Sequence, residues 1–356
     1  MKHIAQRKIG SSRRLRLYAG ILIVAVFYLA TIIADFLAPY DYREQSRREP
    51  SAPSSTLRFR DAGGTYSFRP YVYADRMDDP VTQRYSVDET QAAPVRFFVH
   101  GYSYHFLGVI PADTHLFGSS DERPNSVRIH LLGTDVLGRD RFSRLLYAIR
   151  FSLIVSPAGA ILASLFGILI GIVSGYAGQI VDSTLMGTAD AMISLPTLIL
   201  ILAARAAFPL ELPPMTAATL LIGIFAITGW AEMARLSRGL VKSIREREFV
   251  IAATASGVTP TRILFRHILP NISRPLYTQA TLLLPVFLLA EAALSFLGVG
   301  LQEPEPSLGN LLTATGDLTQ LQQQPFVLLS PAIVIFVFVF CIRLLSGTSP
   351  TKSSSY

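Results

Sequence analysis

Long apolar runs alternate along this chain with polar stretches of two kinds, one basic and one mixed. The first run, Leu17 to Ala38, follows a basic segment carrying Lys2, Arg7, Lys8, Arg13, Arg14 and Arg16. Further runs cover Ser152–Tyr176, Leu185–Phe208 with Pro196 in its middle, Met215–Ala234, Leu276–Val299 and Pro325–Leu345. A membrane-spanning helix needs about 20 mainly apolar residues, so the pattern predicts six such helices. The first run exceeds the roughly 7–15 apolar residues of a cleaved signal peptide and meets Pro39 instead of a small-residue cleavage site. It predicts an uncleaved helix with its N-terminus in the cytoplasm.

Residues 39–138 differ in kind. Acidic and basic residues are balanced there, and aromatic residues recur at Tyr66, Phe68, Tyr71, Tyr73, Phe97, Phe98, Tyr102, Tyr104 and Phe106. Val95–His100 suits a strand and Asp61-Ala62-Gly63-Gly64 a turn. The segment predicts a small, mainly β extracytoplasmic insertion. The expected organisation is therefore a basic cytoplasmic N-terminus (1–16), helix 1 (17–38), the insertion (39–138), a core with helices 2–6 (139–345) and a cytoplasmic tail (346–356). The fold class is mainly α, a polytopic membrane protein.

Charge fixes the expected orientation. Cytoplasmic loops carry an excess of Lys and Arg. The stretch 235–274 carries Arg235, Arg238, Lys242, Arg245, Arg247, Arg262, Arg266 and Arg274 against Glu246 and Glu248. The stretch 300–324 carries Glu303, Glu305 and Asp317 with no Lys or Arg. Both termini then lie inside, in the cytoplasmic membrane. Arg139, Arg141, Arg144 and Arg150 oppose the bias, but long domains translocate largely regardless of charge.

Composition agrees with this class. Half of the 356 residues are hydrophobic and 16% are charged, against roughly 25% charged in soluble domains. The net charge of +7 sits mostly beside apolar runs, which points to membrane lipid and topology and not to nucleic acid. The single cysteine, Cys341, excludes an intramolecular disulfide and reads as a packing residue.

No GxxxxGK[ST] phosphate loop occurs, so the chain has no ATPase site of that type. HExxH, CxxC and GxSxG are absent, and no catalytic residue or cofactor site is assigned. His100, His105, His115 and His130 match no metal-ligand spacing. Within the apolar runs, Arg205 and Glu232 are expected to snorkel from helix ends. Asp190 and Glu291 are expected in the protein interior in a structural role, or as the carboxylates of a proton-coupled carrier. A stripe of small residues, Gly159, Ala163, Gly167, Gly171 and Gly175, predicts a close helix–helix seam.

The basic stretch has internal punctuation. Glu248–Ser256 forms helix, Gly257 suits the left-handed position that ends it, Thr259 can cap the next helix and Pro260 suits its first turn. Arg262 and Arg266 lie four apart and repel each other, a repulsion an acidic partner or anionic lipid would reverse. Pro270 is expected to end the element.

These residues resemble a family. Ala252-Ala253-Thr254-Ala255-Ser256-Gly257, with His267-Ile268-Leu269-Pro270 downstream, is similar to the EAA loop of ABC importer permeases. Gly133–Asp140 with Phe142–Leu146, Gly175–Gly178 with Asp182, and Glu291–Gly298 with Pro306–Asn310 resemble the C-type permease subunit of dipeptide and oligopeptide importers. The resemblance covers about 130–345 and helix 1. It implies a second permease, two ABC ATPase subunits that bind ATP and Mg, an extracytoplasmic solute-binding protein, and peptide cargo. It also implies that Glu248, Ala252, Ala253, Gly257, Pro260, Arg262, Arg266, His267, Leu269 and Pro270 form the ATPase-coupling surface. Ile251 stands where the family motif has glutamate, and Glu248 lies one turn earlier. Two other readings remain open on the residues alone: a proton-coupled secondary carrier, and a membrane anchor for an envelope-binding domain.

Overall fold

The computed structural model describes residues 2–60, 66–79, 83–119, 127–316 and 318–347. The turn expected at Asp61–Gly64 and most of the tail, 348–356, lie outside the described residues. In chain order the elements are α1 (Lys2–Ile32), α2 (Ala34–Leu37), β1 (Arg58–Arg60), β2 (Tyr66–Asp79), β3 (Arg84–Phe106), β4 (Ile110–Ser119), α3 (Arg141–Tyr176), α4 (Gln179–Ser194), α5 (Thr197–Ala206), α6 (Pro214–Arg245), α7 (Glu248–Ala255), α8 (Pro260–Ile263), a π-helical turn (Leu264–Ile268) and α9 (Leu269–Phe296). Short helices α10 (Leu308–Leu312), α11 (Leu318–Gln323) and α12 (Pro325–Leu328) precede α13 (Ser330–Gly347).

Among the described residues, three helices are long and apolar enough to cross a membrane: Arg141–Tyr176, Pro214–Arg245, and the continuous α8–π–α9 rod Pro260–Phe296. The run expected as one helix over 185–208 is instead two, α4 and α5, bent by 90°. Pro196 explains the break: it lacks an N–H and forces extended backbone on its predecessor, and Leu195 has φ −94° and ψ 138°. Two shorter apolar helices cover Leu17–Ile32 and Ser330–Ser346.

The chain forms two compact units. The first comprises 1–24, 153–300 and 337–356. Its centre is α6. Phe225 on α6 stacks on Phe287 of α9, ring centroids 4.6 Å apart and 11° from parallel. Met186 and Ala189 of α4 pack with Ala231 and Ala234 of α6.

The second unit comprises 25–152 and 301–336. Its four strands form an antiparallel meander in the order β1-β2-β3-β4. One core joins Val72, Val95, Phe117 and Ile129 to Phe142 at the start of α3. Another packs Ala34 and Ala38 against Leu146. Their small side chains let α2 lie close to α3. The arginines that oppose the charge bias are engaged here. Arg139 meets Asp135 at 2.7 Å and Glu303 at 2.6 Å, and Arg144 meets Glu303 at 2.9 Å. Arg150 grips Asp35 at 2.6 Å. Arg141 donates to Thr134 O and Gln320 Oε1. These four charges oppose the bias in sequence but are held by acceptors within the unit.

His130 is buried in the second unit, its Nδ1 2.9 Å from Asp140 Oδ1 and its Nε2 3.4 Å from Glu49 Oε2. Burial disfavours the imidazolium, but hydrogen bonds and charge from Asp140 and Glu49 outweigh it and raise its pKa to about 9.

Candidate functional site

The stretch 235–274 is a bend joining two long helices, α6 and α9. Residues 235–245 are the last turns of α6, with no separate loop there. Glu248 lies in the first turn of α7, where a carboxylate suits the helix N-terminus. Gly257 has φ +76°, its N–H donates to Thr254 O at 3.0 Å, and Val258 N–H donates to Ala253 O at 3.2 Å. This paired pattern is a Schellman turn, which closes a helix with a left-handed residue that glycine adopts without strain. Thr259 takes the N-cap position with extended backbone but its hydroxyl caps no N–H; Pro260 occupies the first turn of α8.

Pro270 does not end the element. The helix passes through a π-turn, with Leu269 N–H donating to Leu264 O, and continues as α9. Pro270 comes just after the π-turn, so its missing N–H falls where the regular i→i−4 ladder is already interrupted. Asn271 Nδ2 donates to His267 O at 2.6 Å. His267 also faces Phe249 of α7, ring centroids 6.3 Å apart, and so ties the two arms of the bend.

Ala252, Gly257, Pro260, Arg262, Arg266 and Pro270 are exposed, while Ala253, His267 and Leu269 are half-buried. Three large apolar side chains, Phe249, Ile251 and Phe265, are also exposed. Apolar side chains and two exposed guanidinium groups share this bend, a composition like that favoured at interface cores. Behind it lies a groove of about 560 Å³ lined by Tyr176, Arg245, Val250, Thr254, Val258 and Ile263, among others.

The bend is wired into the helices that carry it. Arg245 donates to Gly175 O at 2.6 Å and lies 4.7 Å over the Tyr176 ring, so a cation sits at the carbonyl end of α3 where the helix dipole favours it. Asp182, in the first turn of α4, accepts from Arg238 at 2.5 and 2.6 Å, from Lys242 at 2.5 Å and from Ser174 at 2.5 Å. Asp190 pairs with Arg235 on a half-exposed surface. Glu291 is fully buried on α9 and accepts from Ser295 at 2.9 Å. Arg205 does not snorkel. It is 1% exposed and donates to the carbonyls of Phe208, Pro209 and Leu210 in the turn that follows α5.

The small-residue stripe faces α6. A methyl group at Gly159 would fall 2.7 Å from Phe225 Cβ, at Gly167 2.5 Å from Trp230 O, at Gly171 2.6 Å from Ser237 Cβ, and at Gly175 2.7 Å from Val241 Cγ1. Ala163 is fully buried. The sequence reading treated Arg235, Arg238 and Lys242 as topology markers and missed their partners. Their spacing puts them on one face of α6, and Asp182 and Asp190, eight apart, share a face of α4.

Comparison with known proteins follows the same residues. Residues 167–348 match the family model described as binding-protein-dependent transport system inner membrane component. The chain is 34% identical over 222 residues to the oligopeptide transport system permease protein OppC of Bacillus subtilis, covering 62% of this chain and 70% of that one. It is 35% identical over 254 residues to OppC of Mycobacterium tuberculosis strain H37Rv, covering 71% and 84%. It is 37% identical over 210 residues to the dipeptide transport system permease protein DppC of Alkalihalophilus pseudofirmus, covering 59% and 66%. Among solved structures, an inward-facing MetNI methionine ABC transporter aligns with a TM-score of 0.44 at 17% identity, covering 58% of this chain and 97% of that one.

Proposed function

This chain belongs to the family of binding-protein-dependent transport system inner membrane components, and from that premise we propose that it is the permease subunit of an ATP-driven importer of peptides. Its relatives carry the names of dipeptide and oligopeptide permeases. The proposed assembly pairs it with a second permease, two ATPase subunits that bind ATP and Mg, and an extracytoplasmic solute-binding protein. The chain itself hydrolyses nothing. In this reading six segments cross the membrane, counting the bent α4–α5 pair and the two short apolar helices, with both termini cytoplasmic. The insertion 39–138, with its four strands, lies outside and helps to dock the binding protein or the partner permease.

The observation that carries the proposal is the exposed bend from Glu248 to Pro270, closed by the Gly257 turn and continuous with α9. An ATPase subunit grips Ile251, Arg262, Phe265 and Arg266. When ATP closes the ATPases, the bend moves as a rigid body and pulls α6, and through Arg245 and the Asp182 cluster the α3–α4 turn follows. Only a partner that binds the bend differently in its two states can do this work, because equal affinity shifts no equilibrium. Asp190 in this reading is tied to Arg235 and serves structure, which leaves the proton-carrier alternative resting on Glu291.

The proposal is tested by reversing both charges, Arg262→Glu with Arg266→Glu, in the assembled transporter. Uptake should fall while the assembly stays in the membrane. Normal uptake with normal ATP turnover would remove the bend from the mechanism.

A further inference from the structure

The β3–β4 hairpin of the second unit changes character along its length. Its base is built into the unit. Phe117 meets Phe142 at 5.9 Å between ring centroids and Phe98 meets Phe36 at 6.1 Å. His115 Nδ1 lies 3.0 Å from Asp35 O, and the hydroxyls of Tyr102 and Tyr147 lie 3.0 Å apart.

These contacts give the hairpin a direction. Passing from Phe117 to His115 on β4 corresponds to passing from Phe142 to Tyr147 on α3. The next turn of α3 brings Arg150, which reaches Asp35 and Thr31 O. Along α1 the same direction leads back toward Ile32, Leu29 and Val26, all exposed and apolar. Beyond His115 the hairpin continues to Val109, a reach of up to about 20 Å at roughly 3.3 Å per residue.

Composition changes where the contacts stop. His100 and Asp113 form an exposed pair at 3.1 Å, and from Gly101 to Ala112 there is no Asp, Glu, Lys or Arg. Tyr102 and Tyr104 come first, then Phe106, Leu107, Gly108, Val109 and Ile110. Leu107, Val109 and Ile110 are 60%, 77% and 56% exposed. The turn satisfies its own backbone: Gly108 N–H donates to His105 O at 2.9 Å and Val109 N–H to Phe106 O at 3.2 Å. Tyr102 and Tyr104 belong to the packed base, their hydroxyls on Tyr147 and Thr114 O, and the exposed apolar residues lie beyond them. A turn with paired backbone groups enters lipid at lower cost than an open one. The unpaired outer edges of a two-stranded ribbon limit the depth to the tip.

We propose that the tip Leu107–Ile110 inserts into the headgroup–acyl boundary of the leaflet nearest the second unit and anchors that unit to the bilayer. The proposal goes beyond the transport reading and rests only on the apolar helices being embedded in lipid.

The test uses the chain purified with its partner subunits in nanodiscs of phosphatidylethanolamine and phosphatidylglycerol. Cys341→Ala removes the native thiol, and single cysteines at Val109, Thr90 or Leu169 carry an environment-sensitive fluorophore. The Val109 probe should emit to the blue of the Thr90 probe, lose most of its emission to lipids spin-labelled near the headgroup, and resist iodide. The Thr90 probe should do the opposite. Leu169, exposed on α3, reports whether the helices are embedded. If Leu169 is quenched by spin-labelled lipid while Val109 is quenched by iodide, the anchor is refuted. Shielding of Val109 from both quenchers also refutes it, because a protein partner then covers the tip. If Leu169 itself escapes lipid quenching, the membrane premise fails and the anchor with it.

Discussion

Arg238 holds Asp182 with two prongs, Nε 2.5 Å from Oδ1 and Nη2 2.6 Å from Oδ2. Lys242 and Ser174 complete the carboxylate's partners. Such two-pronged pairs fix orientation as well as charge. Here the pair joins the start of α4 to α6, about two turns of helix before α6 ends at Arg245 and the proposed ATPase-docking bend begins.

Asp182→Asn keeps the shape and removes the charge. It leaves Arg238 and Lys242 without their counter-ion, and because both cations are partly exposed solvent screening holds the loss to about 1–2 kcal/mol. The purified transporter should melt several degrees lower and hydrolyse ATP with less uptake per ATP. The exchange Asp182→Arg with Arg238→Asp should recover part of the loss. Unchanged melting and unchanged coupling in Asp182→Asn would show that the pair carries no load.

The α3–α6 seam leaves no room for a methyl group. Gly171→Ala should cost about 1–3 kcal/mol, the usual penalty of overpacking. Gly187→Ala, at a glycine with nothing within 4 Å of the added carbon, should be neutral or slightly stabilising through helix propensity. Melting temperatures of the two variants in one detergent decide this; equal values would mean the seam yields.

Gly257 is needed for its backbone. Alanine in the left-handed region costs about 1–2 kcal/mol, and asparagine tolerates it better. Gly257→Ala should loosen amide protection at Val258 and lower coupled uptake, with Gly257→Asn in between. If all three forms protect Val258 equally, the turn is not the origin of the bend's rigidity.

His130 makes the second unit sensitive to alkali. Its pKa is raised from 6.5 to about 9, so the folded state holds the proton more tightly than the unfolded state. Its contribution is therefore full below about 6.5, declines as pH rises, and is gone above about 9, a span worth on the order of 3 kcal/mol. Hydrogen exchange at Ser51 and Thr134, corrected for intrinsic base catalysis, should show protection falling between neutral pH and pH 9. His130→Gln should flatten that dependence. A parent protein with pH-independent protection would contradict the assignment.

Much of the bend is legible in the sequence because its signals are local. Gly257 after an alanine-rich helix and Pro260 after Thr259 are backbone statements that need no partner. Pro270 breaks the expectation for the same reason: the local rule says that a proline stops a helix, and only the π-turn before it shows how the helix carries on through the missing N–H. Pro196 was visible, but an apolar run has the same composition whether straight or bent by 90°. The ion pairs were the least legible part. Arg235, Arg238 and Lys242 look like topology markers until Asp182 and Asp190 arrive from another helix. Arg139, Arg144 and Arg150 look misplaced until Glu303 and Asp35 reach them across long stretches of chain.

The measurement that bears most directly on the central claim is site-specific cross-linking from the bend in intact membranes. A cysteine at Phe265, exposed on the π-turn, should form a short-range cross-link to the ATPase subunit. The yield should differ between nucleotide-free and ATP-bound transporter, and a membrane-impermeant maleimide added outside the cell should not reach it. A Phe265 cysteine that cross-links to no ATPase in either state, or that reacts with the impermeant reagent from outside, would contradict the account.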